Sequence, residues 1–146
     1  MVRGAIAAVA LLWAGAAGAD GFVAEDQAPT GRFLTATEVR PILAATRANW
    51  IALRDWEGQD LLYLTHLLAW RCGLHQIEYG VNGGPMQVFP LPPCHDGPAP
   101  AALLPEDGLP YVAYPGGSVA SVQIRLLYDD LGGEEASFDR AAVMMP

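Results

Sequence analysis

Few residues in this chain have the chemistry to act on a substrate, and their spacing narrows the options further. The thiols are Cys72 and Cys94, the imidazoles His66, His75 and His95, and the only serines Ser118, Ser121 and Ser137. Cys72-x-x-His75 together with Cys94-His95 supplies two sulfurs and two imidazoles, the donor set of a structural zinc centre. Adjacent Cys94 and His95 cannot easily face one ion, so the spacing argues against a metal site. An even pair of cysteines in an exported chain reads first as a disulfide, Cys72 to Cys94. The loop it closes, about 20 residues, is worth roughly 3 kcal/mol in the chain-entropy view. C-x-x-C and C-x-x-C-H are both absent, which argues against thioredoxin-like chemistry and excludes ordinary c-type haem attachment.

The remaining candidates are weaker. Gly116-Gly117-Ser118-Val119-Ala120 lacks the last glycine of a nucleophile elbow and falls between two expected strands, so Ser118 reads as a turn residue. His66 lies among Leu62, Leu64, Leu68 and Trp70 and reads as a core or sheet-rim histidine. As a general base it would need an orienting carboxylate and a cleft. Carboxylates pair at Glu57/Asp60, Glu106/Asp107, Asp129/Asp130 and Glu134/Glu135, all in expected turns. The last two pairs crowd one hairpin tip, but without the order of residues in an EF-hand loop. Trp50 and Trp56 share an alternating phase with Ala52 and Arg54. Facing solvent, they would form an aromatic patch able to stack on a ligand or anchor a partner.

Composition excludes several functions outright. All eight basic residues are arginine, so lysine-dependent chemistry is absent: no Schiff-base lysine, no P-loop lysine and no Ser-Lys dyad. Sixteen acids give a net charge of -8, which argues against a nucleic-acid backbone and an anionic membrane surface as partners. A basic protein partner is compatible with that charge. No cofactor fingerprint is present.

The N-terminus reads as an export signal, residues 1–19: Arg3, an uncharged apolar run over 5–16, then Ala17-Gly18-Ala19. The apolar run is shorter than the roughly 20 residues that a spanning helix needs. A periplasmic or secreted location follows, with no membrane span after cleavage. Residues 20–33 read as a flexible lead-in and 34–146 as a single β-rich domain. Seven of the twelve prolines fall between 90 and 110, a segment expected to be a long irregular loop.

Within that domain one helix is expected over 37–48. Thr35-x-x-Glu38 has the form of a capping box, but a start there buries Pro41 inside the helix, so the later start is preferred. Strands are expected over 50–56, 61–69, 75–81, 86–89, 111–114 and in a terminal hairpin after Ser121. Val122, Ile124, Leu126 and Tyr128 point inward in that hairpin, and Asn82-Gly83 marks a tight turn. His75 is expected to share the inward phase of Ile77 and Tyr79. Seven short strands predict a mainly β fold, an antiparallel β-sandwich with one short N-terminal helix; their order resembles an immunoglobulin-like topology. The alternative is an α+β domain with the helix across one antiparallel sheet.

Without a complete catalytic constellation, the favoured reading is an exported non-enzymatic domain binding a protein or small ligand through a strand face or the proline-rich loop. The alternatives are a small hydrolase using His66 or a carboxylate pair, and a structural accessory of an envelope assembly.

Overall fold

The computed structural model describes residues 21–146; the expected export signal lies outside the described residues. In chain order the elements are α1 (Ala36–Ala45), β1 (Ala52–Trp56), β2 (Gln59–Tyr63), α2 (Thr65–Ala69), β3 (Leu74–Val81), β4 (Gln87–Phe89), β5 (Tyr111–Pro115), β6 (Ser121–Tyr128), β7 (Gly133–Asp139) and α3 (Arg140–Val143). The seven strands form two antiparallel sheets, β1-β2-β5 and β4-β3-β6-β7. First, second and fifth strands on one sheet and third, sixth and seventh on the other make the immunoglobulin-like order, with the fourth strand at the edge beside the third. Leu53 and Leu62 from the first sheet meet Ile77, Val122, Ile124 and Leu126 from the second in one core, which α1, α2 and α3 also enter.

Several local expectations are corrected. The segment 61–69 is not one strand. Its first residues complete β2, and Thr65–Ala69 forms α2, whose Leu67 and Leu68 are buried. An apolar run of this length satisfies either periodicity, and here the chain turns over the end of the sandwich. Two short helices, α2 and α3, therefore join the one that was expected. Helix α1 starts at the capping box after all. Thr35 accepts from the Glu38 N–H, and the buried Asp129 accepts from the Ala36 N–H at 2.8 Å, a second cap donated by the β6–β7 turn. Pro41 and Thr37 both lie on the solvent side, so the carbonyl deprived of its helical donor stays within reach of water. The β1–β2 hairpin turns on two residues, Glu57 and Gly58, both at positive φ, leaving Asp60 inside β2 and fully buried.

His75 does not share the inward phase of Ile77. The β3–β6 register slips between Leu74 and Gln76, so His75 is the extra residue of a bulge. Its ring stacks on Phe22 and bonds the Val23 carbonyl at 2.8 Å. That contact, Glu25 N–H to the Asp129 carbonyl, and Gln27 to Asp129 and Thr37 tie residues 21–33 along the sandwich.

The proline-rich loop is irregular, and its anchor is Arg71. Proline offers no N–H, so a loop rich in it carries more carbonyls than donors. Arg71, only 2% exposed, reaches in and spends all five N–H groups on backbone carbonyls. These belong to Pro92 (3.0 Å), Pro93 (2.8 Å), Ala101 (2.5 Å), Ala102 (3.2 Å) and Leu68 (2.9 Å). The next residue, Cys72, forms the disulfide with Cys94. One turn of chain thus grips the loop both covalently and through hydrogen bonds. Gly73 follows because Val39 and the Thr35 carbonyl leave no room for a Cβ there. Farther along, Asp107 accepts from His95 at 2.7 Å and from the Leu104 N–H at 2.8 Å, closing the loop on itself.

A buried ion pair joins the two sheets at the other end. Asp60 of β2 takes a bidentate pair from Arg140 of α3, at 2.5 and 3.1 Å, plus the Gly117 and Val119 N–H groups at 3.0 Å. These contacts, Arg140 foremost, hold the Asp60 carboxyl far below the usual carboxylate range.

Arg71→Met leaves several carbonyls of a half-buried loop without donors, so it is expected to cost at least about 3 kcal/mol in urea unfolding. Removing the disulfide with Cys72→Ser/Cys94→Ser should cost a comparable amount, about 3 kcal/mol. For Asp60, the unfolded chain takes up the proton first as pH falls, so its contribution is intact above about pH 4 and lost as pH drops through the native value. Unfolding curves over that range should show the slope, and Asp60→Asn should flatten it while lowering stability at pH 7.

Candidate functional site

The two sheets differ in what they turn outward. On the four-stranded sheet the outward residues include Gln76, Glu78, Gln123, Arg125, Glu135 and Ser137, with Arg125 bridging Glu78 and Glu135. On the three-stranded sheet, register places Ala52 beside Tyr63 and Tyr111, Arg54 beside Leu61 and Ala113, and Trp56 beside Gln59 and Pro115. That outer face is aromatic and aliphatic and holds no carboxylate. Tyr63 and Tyr111 pack with ring centres 5.1 Å apart. Leu61 is buried there although it lies outside the main core.

At the start of β1 this face runs into a cleft of about 650 Å³, within the size range of small-molecule sites. Trp50, Ile51 and Ala52 form one wall, Thr65, His66 and Ala69 of α2 another, with Tyr63, Arg54 and Asn49 at the sides and Met145 from the C-terminal tail. The tail is positioned by a short parallel bridge between Met144 and Leu53, the Met145 N–H bonding the Leu53 carbonyl at 2.8 Å. Among the described residues, none that lines the cleft is acidic.

His66 is half-buried in this cleft. Its Nε2 lies 2.8 Å from Thr46 Oγ1, and that hydroxyl donates its own hydrogen to the Ile42 carbonyl at 2.7 Å. With that hydrogen spent, Thr46 can only accept, so Nε2 carries the proton and Nδ1 keeps its lone pair. Burial pushes the imidazole below its ordinary value of 6.5, which leaves it neutral at pH 7. Its hydrogen-bond partner is a hydroxyl, where a base of the hydrolytic kind would be oriented by a carboxylate.

The two tryptophans singled out by sequence part company. Trp50 is not in a strand: it follows a 3₁₀ turn over Arg47–Asn49, is fully buried, and donates its indole N–H to the Leu43 carbonyl at 2.8 Å, forming the back of the cleft. Trp56 is 45% exposed at the end of β1, with the Arg54 guanidinium 4.0 Å above its ring centre. Arg54 was placed on the phase of Trp56 by the sequence but given no role there. Its signal was present, since a cation two residues before a strand aromatic shares that aromatic's face.

The carboxylate pairs do not come together as a catalytic or cation site. Asp60 goes to Arg140, Asp130 to Arg40, Glu134 to Arg47, and Glu135 to Arg125. Asp129 is buried among hydrogen bonds to Ala36 and Gln27. The hairpin-tip acids are therefore tethered, not solvated in a free turn, and among the described residues no group of three or more His, Cys, Asp or Glu is placed to hold a metal ion. Cys72 and Cys94 are bonded to each other; His75 lies against Phe22 and His95 against Asp107.

No protein-family profile matches the chain, and comparison with curated proteins and with solved structures finds no match.

An NMR titration checks the His66 assignment. Its imidazole should titrate with a midpoint below 6.5 as the Nε2–H tautomer. Because the unfolded chain takes that proton first, stability should fall as pH drops below about 6.5. A midpoint above 6.5 would contradict the burial of the ring.

Proposed function

We propose that this protein is an exported, non-enzymatic binding domain that takes a largely apolar small ligand in the cleft between β1, α2 and the C-terminal tail. The observation carrying the reading is the acid-free, mostly apolar cleft, opening onto the one outward sheet face rich in aromatics. Apolar walls with a few convergent polar groups are the usual makeup of a small-molecule site. Here the polar groups are the Arg54 guanidinium, the free Nδ1 lone pair of His66, and the side chains of Asn49 and Thr65.

Export to the periplasm or beyond is supported by the apolar N-terminal segment and the Cys72–Cys94 disulfide. It is also compatible with the described residues, where no helix is long and apolar enough to cross a membrane. A binding role is favoured over hydrolysis because His66 is paired with Thr46 and each candidate carboxylate pair has at least one member held in a structural contact. That pairing also weakens the case for a basic protein partner, since it takes up part of the acidic charge.

The test is a thermal-shift screen of the purified chain against a library of small apolar molecules. The companion is Ala69→Trp, which places an indole into the cleft from an exposed position of α2. A subset of compounds should raise the wild-type Tm and leave Ala69→Trp unmoved. Hits that shift both proteins equally would place binding elsewhere. A hydrolytic activity present in the wild type and lost in His66→Ala would overturn the non-enzymatic reading.

A further inference from the structure

Arginine is the scarce charge in this molecule, and its distribution is informative. Among the described residues, Arg40, Arg47, Arg125 and Arg140 each hold at least one carboxylate. Arg71 and Arg32 are spent on backbone carbonyls, Arg32 on that of Gly97. Among these arginines Arg54 alone makes no hydrogen bond and no ion pair to another described residue, in a chain whose acids outnumber its arginines two to one. It is nevertheless half-buried, with its guanidinium carbon over the Trp56 ring at 4.0 Å from the ring centre. Stacking occupies the flat face of a guanidinium and leaves the N–H edge free in its own plane, the edge that receives a carboxylate in a two-pronged pair.

Position adds the second half of the argument. Among the described residues, Arg54 is the only side chain lining the cleft that is charged at neutral pH, and none of those lining it is acidic. The nearest acid in sequence, Asp55, belongs to the opposite phase of β1. Beyond Arg54 the walls are Trp50, Ile51, Ala52, Ala69 and Met145, which offer contact area and no charge.

Building on the binding reading above, we infer that Arg54 is the receptor for the carboxylate of an amphipathic organic acid, whose apolar body fills the cleft toward Trp50 and Met145. The cation–π contact with Trp56 holds the guanidinium in place before the ligand arrives, so little side-chain entropy is lost on binding. The overall negative charge of the protein does not prevent this, because screening at physiological salt limits repulsion from distant acids to about 8 Å. Selectivity follows from the same geometry: a neutral analogue forgoes the ion pair, and a cationic one meets an unpaired guanidinium.

The experiment titrates the full, disulfide-bonded protein with decanoate, 4-phenylbutyrate and decan-1-ol, following the Trp50 and Trp56 emission and confirming stoichiometry by calorimetry. At least one of the two carboxylates should bind one-to-one and about 10-fold or more tighter than decan-1-ol, the scale of a charge-assisted pair. Arg54→Gln should bring that carboxylate down to about the level of the alcohol, with a far smaller effect on the alcohol, which loses no ion pair; Arg54 is a surface-strand residue whose loss opens no core cavity. Ala69→Trp should weaken all three. If Arg54→Gln binds the carboxylate as the wild type does while Ala69→Trp still abolishes binding, the assignment of Arg54 fails and the cleft stands as a binding site. If no probe binds the wild type, or Ala69→Trp binds as the wild type does, both the assignment and the binding site are overturned.

Discussion

Arg71 supplies the five N–H groups that a proline-rich loop cannot supply for itself, and much of the molecule depends on that exchange. The loop over 90–110 crosses from β4 in one sheet to β5 in the other, so whatever orders it also sets where β5 can pair with β2. Seven prolines leave the segment with carbonyls in excess. A cluster of carbonyl dipoles solvates the buried cation, and the cation in turn gives the carbonyls their partners. Burial lowers the guanidinium's proton affinity, and the nearby Asp107 carboxylate opposes that effect. Arginine keeps its charge even so, because its ordinary value lies so far above neutral pH. The disulfide at the adjacent residue limits how far the loop can stray in the unfolded chain, while Arg71 fixes where it rests in the folded one.

The same economy of arginine shapes the rest of the surface. Arg140 locks Asp60, Arg40 stacks on Tyr128 and pairs with Asp130, and Arg125 bridges two strands on the polar sheet face. All but the Arg125–Glu135 pair, which lies within the β6–β7 hairpin, join elements distant in sequence. Against that pattern the free guanidinium of Arg54, on the apolar face and at the mouth of the cleft, stands out as a group placed for something other than holding the fold together. An acid beside it would neutralise it; none lines the cleft.

Much of the fold was legible beforehand, for reasons that lie in neighbouring residues. Alternation in β6 and β7 marked their buried faces, Asn82-Gly83 marked its turn, and the strand count and order pointed to a two-sheet sandwich. The misreadings were also local. Residues 61–69 are apolar under both strand and helix periods, so periodicity had no power to divide them into β2 and α2. His75 left its expected phase because one bulged residue reverses the alternation at the end of β3, and nothing in the sequence announces a bulge. Thr35 caps α1 because Asp129, 94 positions later, arrives to share the task.

What the sequence determined alone was set by short-range chemistry: which segments extend, which turns close them, that two thiols are available to bond, and that charge is negative and carried on the basic side by arginine only. Tertiary structure decided every partner. Asp60 and Glu57 look alike in a turn-rich stretch, yet one is buried on Arg140, 80 residues away, and the other remains exposed. Trp50 and Trp56 look like neighbours on one strand, yet one backs the cleft from the core and the other lies beneath Arg54 at its rim. The reason is physical: alternation is governed by bond geometry over two residues, whereas the fate of a charge or an aromatic ring depends on which distant groups the folded chain brings within a few ångströms.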